Sequence, residues 1–327
     1  MIENEEPACR KTAGFFVDGL FQRCEPQGTI MDRRKSFRIV VGAAILIAGA
    51  GCLAPADAAA EPATVYFASA DGQTQLVGYL FAPATSGPHP AVVMLHGRAG
   101  PYSANINAGC TLVAKDKASP CNAASLSKRH VAWGTYWSAL GYFALLPDSF
   151  GPRGKGHGFG RFSHDDPERD DVNEQTVRPL DAEGALGYLR SRADVVADQI
   201  YLQGWSNGAS TTLNVMSRQV ARPGGGFRAA LALYPGCGSA ALISQDYKTS
   251  RPLTVLLASD DEEVSPAGCH RVLDAAASNG SPITVIDYAG ATHDFDDPGE
   301  RRQSVAANRR AREDALRRAA GVFAGQK

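Results

Sequence analysis

The sequence has no hydrophobic stretch long enough to span a membrane. Its longest apolar run, Ile39 to Ala50, has about a dozen residues, whereas a spanning helix needs about 20. It also lacks an excess of charge of either sign, since the formal net charge is −1. This balance gives no reason to expect nucleic acid or an anionic membrane surface as a partner. Internal repeats and long low-complexity tracts are absent too, so the composition indicates an ordinary globular chain.

The first sixty residues have the features of a removable leader. Basic residues between Met31 and Arg38 precede the apolar run, and the small residues Ala56–Ala60 follow it. A basic segment, a short apolar segment and an A-x-A-like site are together typical of a secretory signal peptide. We therefore predict an N-terminal extension and signal peptide over residues 1–60, with Met31 as the favoured start and export to the periplasm or the medium.

The type of signal has more than one interpretation. Arg33-Arg34 followed by Phe37 loosely resembles a twin-arginine signal, which would imply export after folding. An uncleaved anchor helix is the alternative interpretation of the same run. Cleavage before residue 61 would leave residues 61–327 as the mature domain, without lasting membrane insertion.

Cysteines are few, and their positions bear on the compartment. Four of the seven lie beyond the leader, at Cys110, Cys121, Cys237 and Cys269. An even number in an exported chain indicates two disulfides. Of the three possible connectivities we expect the local pairs Cys110–Cys121 and Cys237–Cys269, with free buried thiols as the alternative.

Apolar segments of strand length alternate with helical segments over residues 61–327. After an entry hairpin that turns at Asp71-Gly72, we predict buried strands at 90–95, 142–146, 199–202, 229–234, 253–257 and 283–288, and helices at 132–140, 178–190, 209–220, 266–278 and 304–324. Such alternation predicts a mostly parallel, doubly wound α/β sheet in a single domain. In sheets of this kind the chemistry collects at the carboxyl ends of the strands.

The most informative stretch is Gly204-Trp205-Ser206-Asn207-Gly208, between a predicted strand and a predicted helix. A strand, a G-x-S-x-G pentapeptide and a helix describe a nucleophile elbow. The turn of an elbow is so tight that the residues two positions either side of the serine must lack bulk. Ser206 is therefore the predicted nucleophile, and a Gly-Ser turn without function is the alternative.

A serine nucleophile needs a base, and the base needs an acid. His293 follows the last predicted strand, in a loop that can fold back over the sheet edge, and is the predicted base. The acid should come from the carboxylates at 260–263. We choose Asp261, because a short turn past the strand end is needed to reach the histidine, with Asp260 as the alternative. The other carboxylates are expected to form a solvated rim.

Two backbone N–H groups should stabilise a developing oxyanion. Asn207 supplies one at a helix N-terminus. The second is expected from Arg98, within His96–Gly100, where the glycines let the backbone approach a substrate. His96 itself is expected to hold this loop rather than to react.

These and other segments resemble the dienelactone hydrolase family of α/β-hydrolases. The resemblance is carried by Met94–Gly100, Leu146–Gly151, Gly204–Gly208, Tyr234–Cys237 and Tyr288–Phe295. The chain order Ser, Asp, His is that of α/β-hydrolases as well. The resemblance implies an α/β-hydrolase fold and a small-molecule ester or lactone as the substrate.

The sequence also departs from the family pattern. Dienelactone-cleaving members use a cysteine nucleophile where this chain has Ser206, and they carry a glutamate that is missing from His96–Gly100. They also carry an arginine, four residues beyond the histidine, that helps to bind the substrate carboxylate. The corresponding residue here is Asp297, which would repel an anionic lactone. The departures favour a serine esterase.

Two other polar clusters carry weaker signals. The basic segment Arg153–His157 could bind an anionic part of a substrate, but a solvated surface loop is the favoured interpretation. His157, His164, Asp165 and Asp166 match no metal-ligand spacing. We predict no metal and no cofactor.

The sequence therefore predicts an exported serine hydrolase that acts on a carboxylic ester, lactone or similar acyl substrate. A peptidase or amidase with the same triad is the runner-up. A binding protein on a hydrolase scaffold is favoured least, because all triad members are present. Neither the acyl group nor the oligomeric state is predicted.

Overall fold

The computed structural model describes residues 61–103, 109–163, 165–221 and 225–325. The leader and His164 lie outside the described residues, so the start site, the signal peptide and the boundary at residue 60 stay predictions. Over the part of the chain that is described, no helix combines the length and the hydropathy that a membrane crossing requires. All described residues belong to one compact unit, Ala56–Lys327.

A single eight-stranded sheet forms the centre of this unit. Its strands are β1 (Ala63–Ala68), β2 (Gln75–Phe81), β3 (His89–Leu95), β4 (Phe143–Asp148), β5 (Val195–Trp205), β6 (Ala230–Leu233), β7 (Leu253–Ala258) and β8 (Ile283–Tyr288), in the order β1-β2-β4-β3-β5-β6-β7-β8. β2 pairs antiparallel with β1 and with β4, and all other pairings are parallel. The predicted entry hairpin and mostly parallel sheet are confirmed.

Helices connect the parallel strands. They are α1 (Lys128–Ala139), α2 (Arg178–Arg190), α3 (Asn207–Arg218), α4 (Pro266–Ser278), α5 (Glu300–Gln303) and α6 (Ala306–Ala324). α1 begins at Lys128 rather than at the predicted Ala132, because the hydroxyl of Ser127 caps it by accepting the N–H of His130.

The predicted helix at 304–324 corresponds to α6, which begins at Ala306, and the short helix α5, which was not predicted, ends just before it at Gln303. The Asn308 side chain donates to the carbonyl of Arg302, and it accepts the N–H of Thr292. The Arg309 guanidinium donates to the carbonyl of Gln303. The bonds to the carbonyls of Arg302 and Gln303 satisfy two backbone acceptors at the end of α5, where the helix is not continued.

Both faces of the sheet are covered, as a doubly wound sheet requires. The helices α2, α3 and α4 pack on one face and α1 and α6 on the other. Side chains alternate between the two layers, so Leu202 of β5 packs in the first and its neighbour Tyr201 in the second.

The segment after β4 is more ordered than the predicted irregular loop at 147–171. β4 continues to Asp148, whose buried carboxylate accepts the N–H groups of Phe150 and Gly151 and the hydroxyl of Tyr102. Two 3₁₀ turns follow, at Gly151–Arg153 and Pro167–Val172. Asp148 therefore ties this segment to the one after β3, beside the carboxyl edge of the sheet.

Candidate active site

Ser206 lies on the turn between β5 and α3, with φ 51° and ψ −117°. Residues with a side chain rarely adopt such a conformation, and it persists only when the surroundings fix it. A Cβ on Gly204 would collide with the carbonyl of Gly208, and a Cβ on Gly208 would collide with the carbonyl of Leu95. Both glycines are therefore required for this turn, as the sequence predicts.

The structure brings the three predicted triad side chains together. Ser206 Oγ lies 3.0 Å from His293 Nε2, and His293 Nδ1 lies 2.8 Å from Asp261 Oδ2. The side chains of His293 and Asp261 are 2% and 1% exposed. Asp261 Oδ1 accepts the N–H groups of Glu263 and Val264, so a tight turn after β7 fixes this carboxylate.

The surroundings of His293 favour its charged form. Burial lowers the pKa of the imidazole, but the hydrogen bond with Asp261 and the negative charges of Asp294, Asp261 and Glu263 outweigh burial, so the pKa is raised above its ordinary value. An imidazolium that forms during a reaction would be stabilised here.

Both predicted oxyanion donors lie beside the serine. Asn207 is the first residue of α3, and Gly97, which precedes Arg98, lies with its backbone against Ser206: a Cβ built on it would be 3.6 Å from the Ser206 Cβ. Among the described residues, neither the Arg98 N–H nor the Asn207 N–H donates to another protein group. N–H groups without a protein acceptor, on residues next to a serine, are available to stabilise an oxyanion.

A buried arginine that the sequence analysis missed links the two segments that carry these donors. Arg178, the first residue of α2, donates to the carbonyl of His96 at 2.6 Å and to the side-chain oxygen of Asn207. Its guanidinium also lies 5.1 Å from the centre of the Phe150 ring. Burial lowers the pKa of Arg178 to about 10, which leaves it charged at neutral pH.

His96 holds its loop, as predicted. Its Nε2 accepts the N–H of Ser149, and Nδ1 lies 2.8 Å from the carbonyl of Gly97. Burial, followed by the charge of Arg178, holds the pKa of His96 well below its ordinary value. The imidazole is therefore neutral and links the segments after β3 and β4.

Two carboxylates of the expected solvated rim have partners at the site instead. Glu263 is 8% exposed and lies 2.7 Å from Arg98 Nη2 and 2.7 Å from Arg161 Nε. Its Oε2 is 3.8 Å from His293 Nε2. Glu262 accepts the backbone N–H of His293 and pairs with Arg302. Glu262 remains exposed, as expected, whereas the charges of Arg98 and Arg161 explain why Glu263 leaves the solvent.

Asp296 is a second residue that the sequence analysis missed. Its buried carboxylate accepts the indole N–H groups of Trp133 at 2.7 Å and Trp205 at 2.8 Å, and the hydroxyl of Tyr234. Trp205 precedes Ser206, and the Tyr234 ring lies 4.7 Å from the His293 ring. Asp296 therefore connects the loop of His293 to the strand end that carries Ser206.

Residues 133–326 match the dienelactone hydrolase family. The chain belongs to this family. No curated protein matches it. The hydrolase activity of the family agrees with the arrangement of Ser206, His293 and Asp261.

Several solved structures share the fold of this family member. A dienelactone hydrolase-like promiscuous phosphotriesterase from metagenomic libraries has TM-score 0.58 and 17% identity over 82% of this chain and 99% of its own. Brefeldin A esterase, a bacterial homologue of human hormone-sensitive lipase, has TM-score 0.55 and 16% identity over 81% and 77%. The esterase Est2 of Thermogutta terrifontis has TM-score 0.53 and 16% identity over 78% and 90%. The predicted α/β-hydrolase fold is confirmed.

Asp297 occupies the position at which, by the resemblance, dienelactone-cleaving members carry an arginine. It lies 3.2 Å from the Nη2 atom of Arg129, which is also 2.8 Å from Asp294. An arginine is thus present beside the histidine, but it comes from α1 and is paired with carboxylates.

The basic segment at 153–157 is engaged in structural contacts rather than in the site. Arg153 pairs with the buried carboxylate of Asp181 at 2.8 Å and donates to the carbonyl of Ser149. Lys155 pairs with Glu168. The expectation of a solvated loop is therefore wrong for Arg153.

One group of possible metal ligands occurs among the described residues. Ligand atoms of Glu263, His293 and Asp294 lie within 4.8 Å of one another. Both carboxylates pair with arginines, Arg98 and Arg129, and the histidine bonds Ser206 and Asp261. Guanidinium groups thus already supply the positive charge that these carboxylates attract.

Both predicted disulfides are present. Cys110 pairs with Cys121 and Cys237 with Cys269, with Cα–Cα distances of 5.7 and 4.8 Å. The first lies in the segment between β3 and α1, and the second joins the segment after β6 to α4. Two disulfides indicate an oxidising environment of the kind found outside the cytoplasm.

Proposed function

We propose that this protein is a serine hydrolase that cleaves carboxylic esters or lactones through an acyl-enzyme. The observation that carries the proposal is the hydrogen-bonded chain from Ser206 Oγ through His293 to Asp261. It lies beside the unpaired N–H groups of Arg98 and Asn207. A nucleophile, a base, an orienting acid and oxyanion donors together are what acyl transfer requires.

In the first half of the reaction, Ser206 Oγ attacks the substrate carbonyl carbon while His293 Nε2 takes the hydroxyl proton. Asp261 stabilises the imidazolium, and the N–H groups of Arg98 and Asn207 donate to the oxyanion. When the tetrahedral intermediate collapses, the bond to the leaving oxygen breaks and His293 gives its proton to that oxygen. The acyl group stays on Ser206.

In the second half, His293 removes a proton from a water molecule, which attacks the acyl-enzyme. The second tetrahedral intermediate collapses with return of the proton to Ser206 Oγ, and the carboxylic acid leaves. No cofactor takes part in this sequence of steps.

We also propose that residues 1–60 are an extension and signal peptide and that 61–327 form the catalytic domain of an exported protein, in the periplasm or the medium. The two disulfides support export.

Hydrolysis of p-nitrophenyl esters by the mature chain tests the proposal, with Ser206→Ala as the variant. We expect turnover to fall at least about a thousandfold, the scale on which loss of a triad member acts. Ser217→Ala, near the other end of the same helix, is the matched control and should retain turnover. An inactive wild type, or an alanine variant as active as the wild type, would remove the proposal. Turnover of anilides but not esters would favour a peptidase or amidase.

A further inference from the structure

Two cavities meet at Ser206. One is lined by Ser206, Asn207, Gly236 and Val264 among others, and the second by Ser206, His293, Arg129 and Asp297 among others. Arg98 and Glu263 line both cavities, so their ion pair marks the boundary between them.

The proposed mechanism assigns a different part of the substrate to each cavity. His293 Nε2 must protonate the leaving oxygen, so the alcohol portion lies in the cavity that contains His293. This leaves the other cavity, beside Asn207 and Val264, for the acyl chain. We call these the alcohol cavity and the acyl cavity.

The acyl cavity is small. Its volume is about 30 Å³, against about 200 Å³ for the alcohol cavity. Because one water molecule needs roughly 10–15 Å³ on this measure, the acyl cavity holds roughly two or three heavy atoms.

Two walls of the acyl cavity are held by hydrogen bonds and charge. Val264 is positioned by its own N–H, which donates to Asp261 Oδ1 at 2.9 Å. The ion pair of Arg169 and Glu174, at 3.3 Å, also lines this cavity, and both side chains are buried. A longer acyl chain directed at these walls would have to displace a buried charge pair or Val264, and both are costly.

The alcohol cavity is polar, and its charges are already paired. Arg129 contacts Asp294 and Asp297, and Arg98 contacts Glu263. Three carboxylates and two guanidiniums leave an excess of negative charge, which disfavours an anionic leaving group. The same groups offer both donors and acceptors to hydroxyl groups. An aliphatic chain would displace the water around these groups without replacing the hydrogen bonds that the water makes.

We infer that the substrate is a short-chain ester, of acetyl or propionyl size, of a neutral alcohol that carries several hydroxyl groups, such as a sugar. This inference rests on the proposed function and names the substrate class of the same site. Val264 limits the length of the acyl group, and Asp297 selects against an anionic alcohol portion.

A series of esters with acyl groups of increasing length tests the inferred preference for a short acyl group. For p-nitrophenyl acetate, butyrate and octanoate, we expect kcat/KM to fall roughly tenfold or more between acetate and octanoate. Val264→Ala should raise the octanoate-to-acetate ratio roughly tenfold, because it removes two methyl groups from the cavity wall. Val113→Ala, a buried valine that lines neither cavity, is the matched control and should leave the ratio unchanged. Equal turnover of octanoate and acetate, or a ratio that ignores Val264, would overturn this preference.

A set of acetate esters with different alcohol portions tests the inferred preference for a neutral alcohol with several hydroxyl groups. We expect an acetylated methyl glucoside to be cleaved faster than octyl acetate and faster than acetylsalicylate, whose leaving group is anionic. Asp297→Asn should raise the ratio of acetylsalicylate to glucoside turnover severalfold, because it removes one of the negative charges that line the alcohol cavity and leaves Arg129 with fewer carboxylate partners. Asp246→Asn breaks a comparable ion pair, with Lys248 at 3.1 Å, outside both cavities and should leave the ratio unchanged.

Different results would overturn the serine-hydrolase function and the inferred substrate class. If no ester is cleaved in a Ser206-dependent manner, the proposed function falls and the inference falls with it. If Ser206-dependent turnover is found but favours octanoate, octyl acetate or acetylsalicylate, the inference alone is overturned.

Discussion

Asp261 Oδ2 lies 2.8 Å from His293 Nδ1, whereas the neighbouring carboxylate of Asp260 accepts the hydroxyl of Ser259 at 2.7 Å and is exposed. The bond to Asp261 places a proton on Nδ1 and so leaves Nε2 free to accept one from Ser206. The turn that follows β7 explains why Asp261 rather than Asp260 contacts the histidine, because two backbone N–H groups of this turn donate to the other oxygen of Asp261.

Replacing Asp261 with asparagine should therefore disable the histidine without unfolding the turn. The amide can still accept the two backbone N–H groups, but it presents a donor to Nδ1 and so favours the wrong tautomer. We expect kcat for p-nitrophenyl acetate to fall about 10³–10⁴-fold. Asp260→Asn is the matched control and should change kcat less than about threefold. A larger loss from Asp260 than from Asp261 would reverse the assignment.

The charge around His293 sets the pH dependence. His293 acts as a base only when neutral, and its pKa lies above the ordinary 6.5 because Asp261, Asp294 and Glu263 outweigh burial. We expect kcat/KM to rise with pH through an ionisation above 6.5. Glu263→Gln removes one of the charges that raise this pKa, so the acid limb should move to lower pH.

The control for this pH profile is Glu168→Gln. Glu168 pairs with Lys155 and is exposed, so the acid limb of this variant should coincide with that of the wild type. An acid limb that stays in place or moves upward in Glu263→Gln would contradict the account of His293.

Local sequence pattern was sufficient for the elbow, the strands and the disulfides. The two glycines around Ser206 predict the tight turn, and continuous apolar runs predict the buried strands. Arg178, Glu263 and Asp296 were missed or misjudged because their roles depend on distant partners. Arg178 meets His96 across 82 residues, and Asp296 meets Trp133 across 163. Charged residues in a helix or loop are usually solvated, and no local signal marks which of them a fold will bury.

Arg178 offers a test of how the oxyanion donors are positioned. Its guanidinium bridges the carbonyl of His96 and the side chain of Asn207, and a lysine is a point charge that cannot span both acceptors. We expect Arg178→Lys to lower kcat roughly tenfold with a smaller change in KM, since the donors act mainly in the transition state.

The matched control for Arg178 is Arg190→Lys, at the other end of α2. Arg190 also donates to two backbone carbonyls, those of Ala197 and Gly226, but it lies far along the helix from the site. Arg190→Lys should leave kcat unchanged. Equal effects of the two variants would indicate general destabilisation of α2 rather than positioning.

The two disulfides should differ in their contribution to stability. They close loops with sequence separations of 11 and 32 residues, for which chain entropy predicts about 3 and about 4 kcal/mol. We expect the double variant Cys237→Ala/Cys269→Ala to lower the free energy of unfolding in urea at least as much as Cys110→Ala/Cys121→Ala. Dithiothreitol should destabilise the wild type and leave a variant without both disulfides unaffected. Unchanged urea midpoints in both double variants would contradict this prediction.

Asp296→Asn tests the connection between the histidine loop and the serine strand. An amide has one acceptor oxygen, so its NH₂ group must face either the two indole donors or the side occupied by Tyr234 and Arg129. We expect the free energy of unfolding to fall by about 1–3 kcal/mol, with a loss of kcat as His293 loses its fixed position. The chain has 3 tryptophans, two of which donate to Asp296, so their fluorescence reports the change directly. Asp274→Asn, at an exposed pair with His270, should alter neither quantity. If Asp296→Asn keeps the wild-type midpoint and kcat, the carboxylate does not position the histidine.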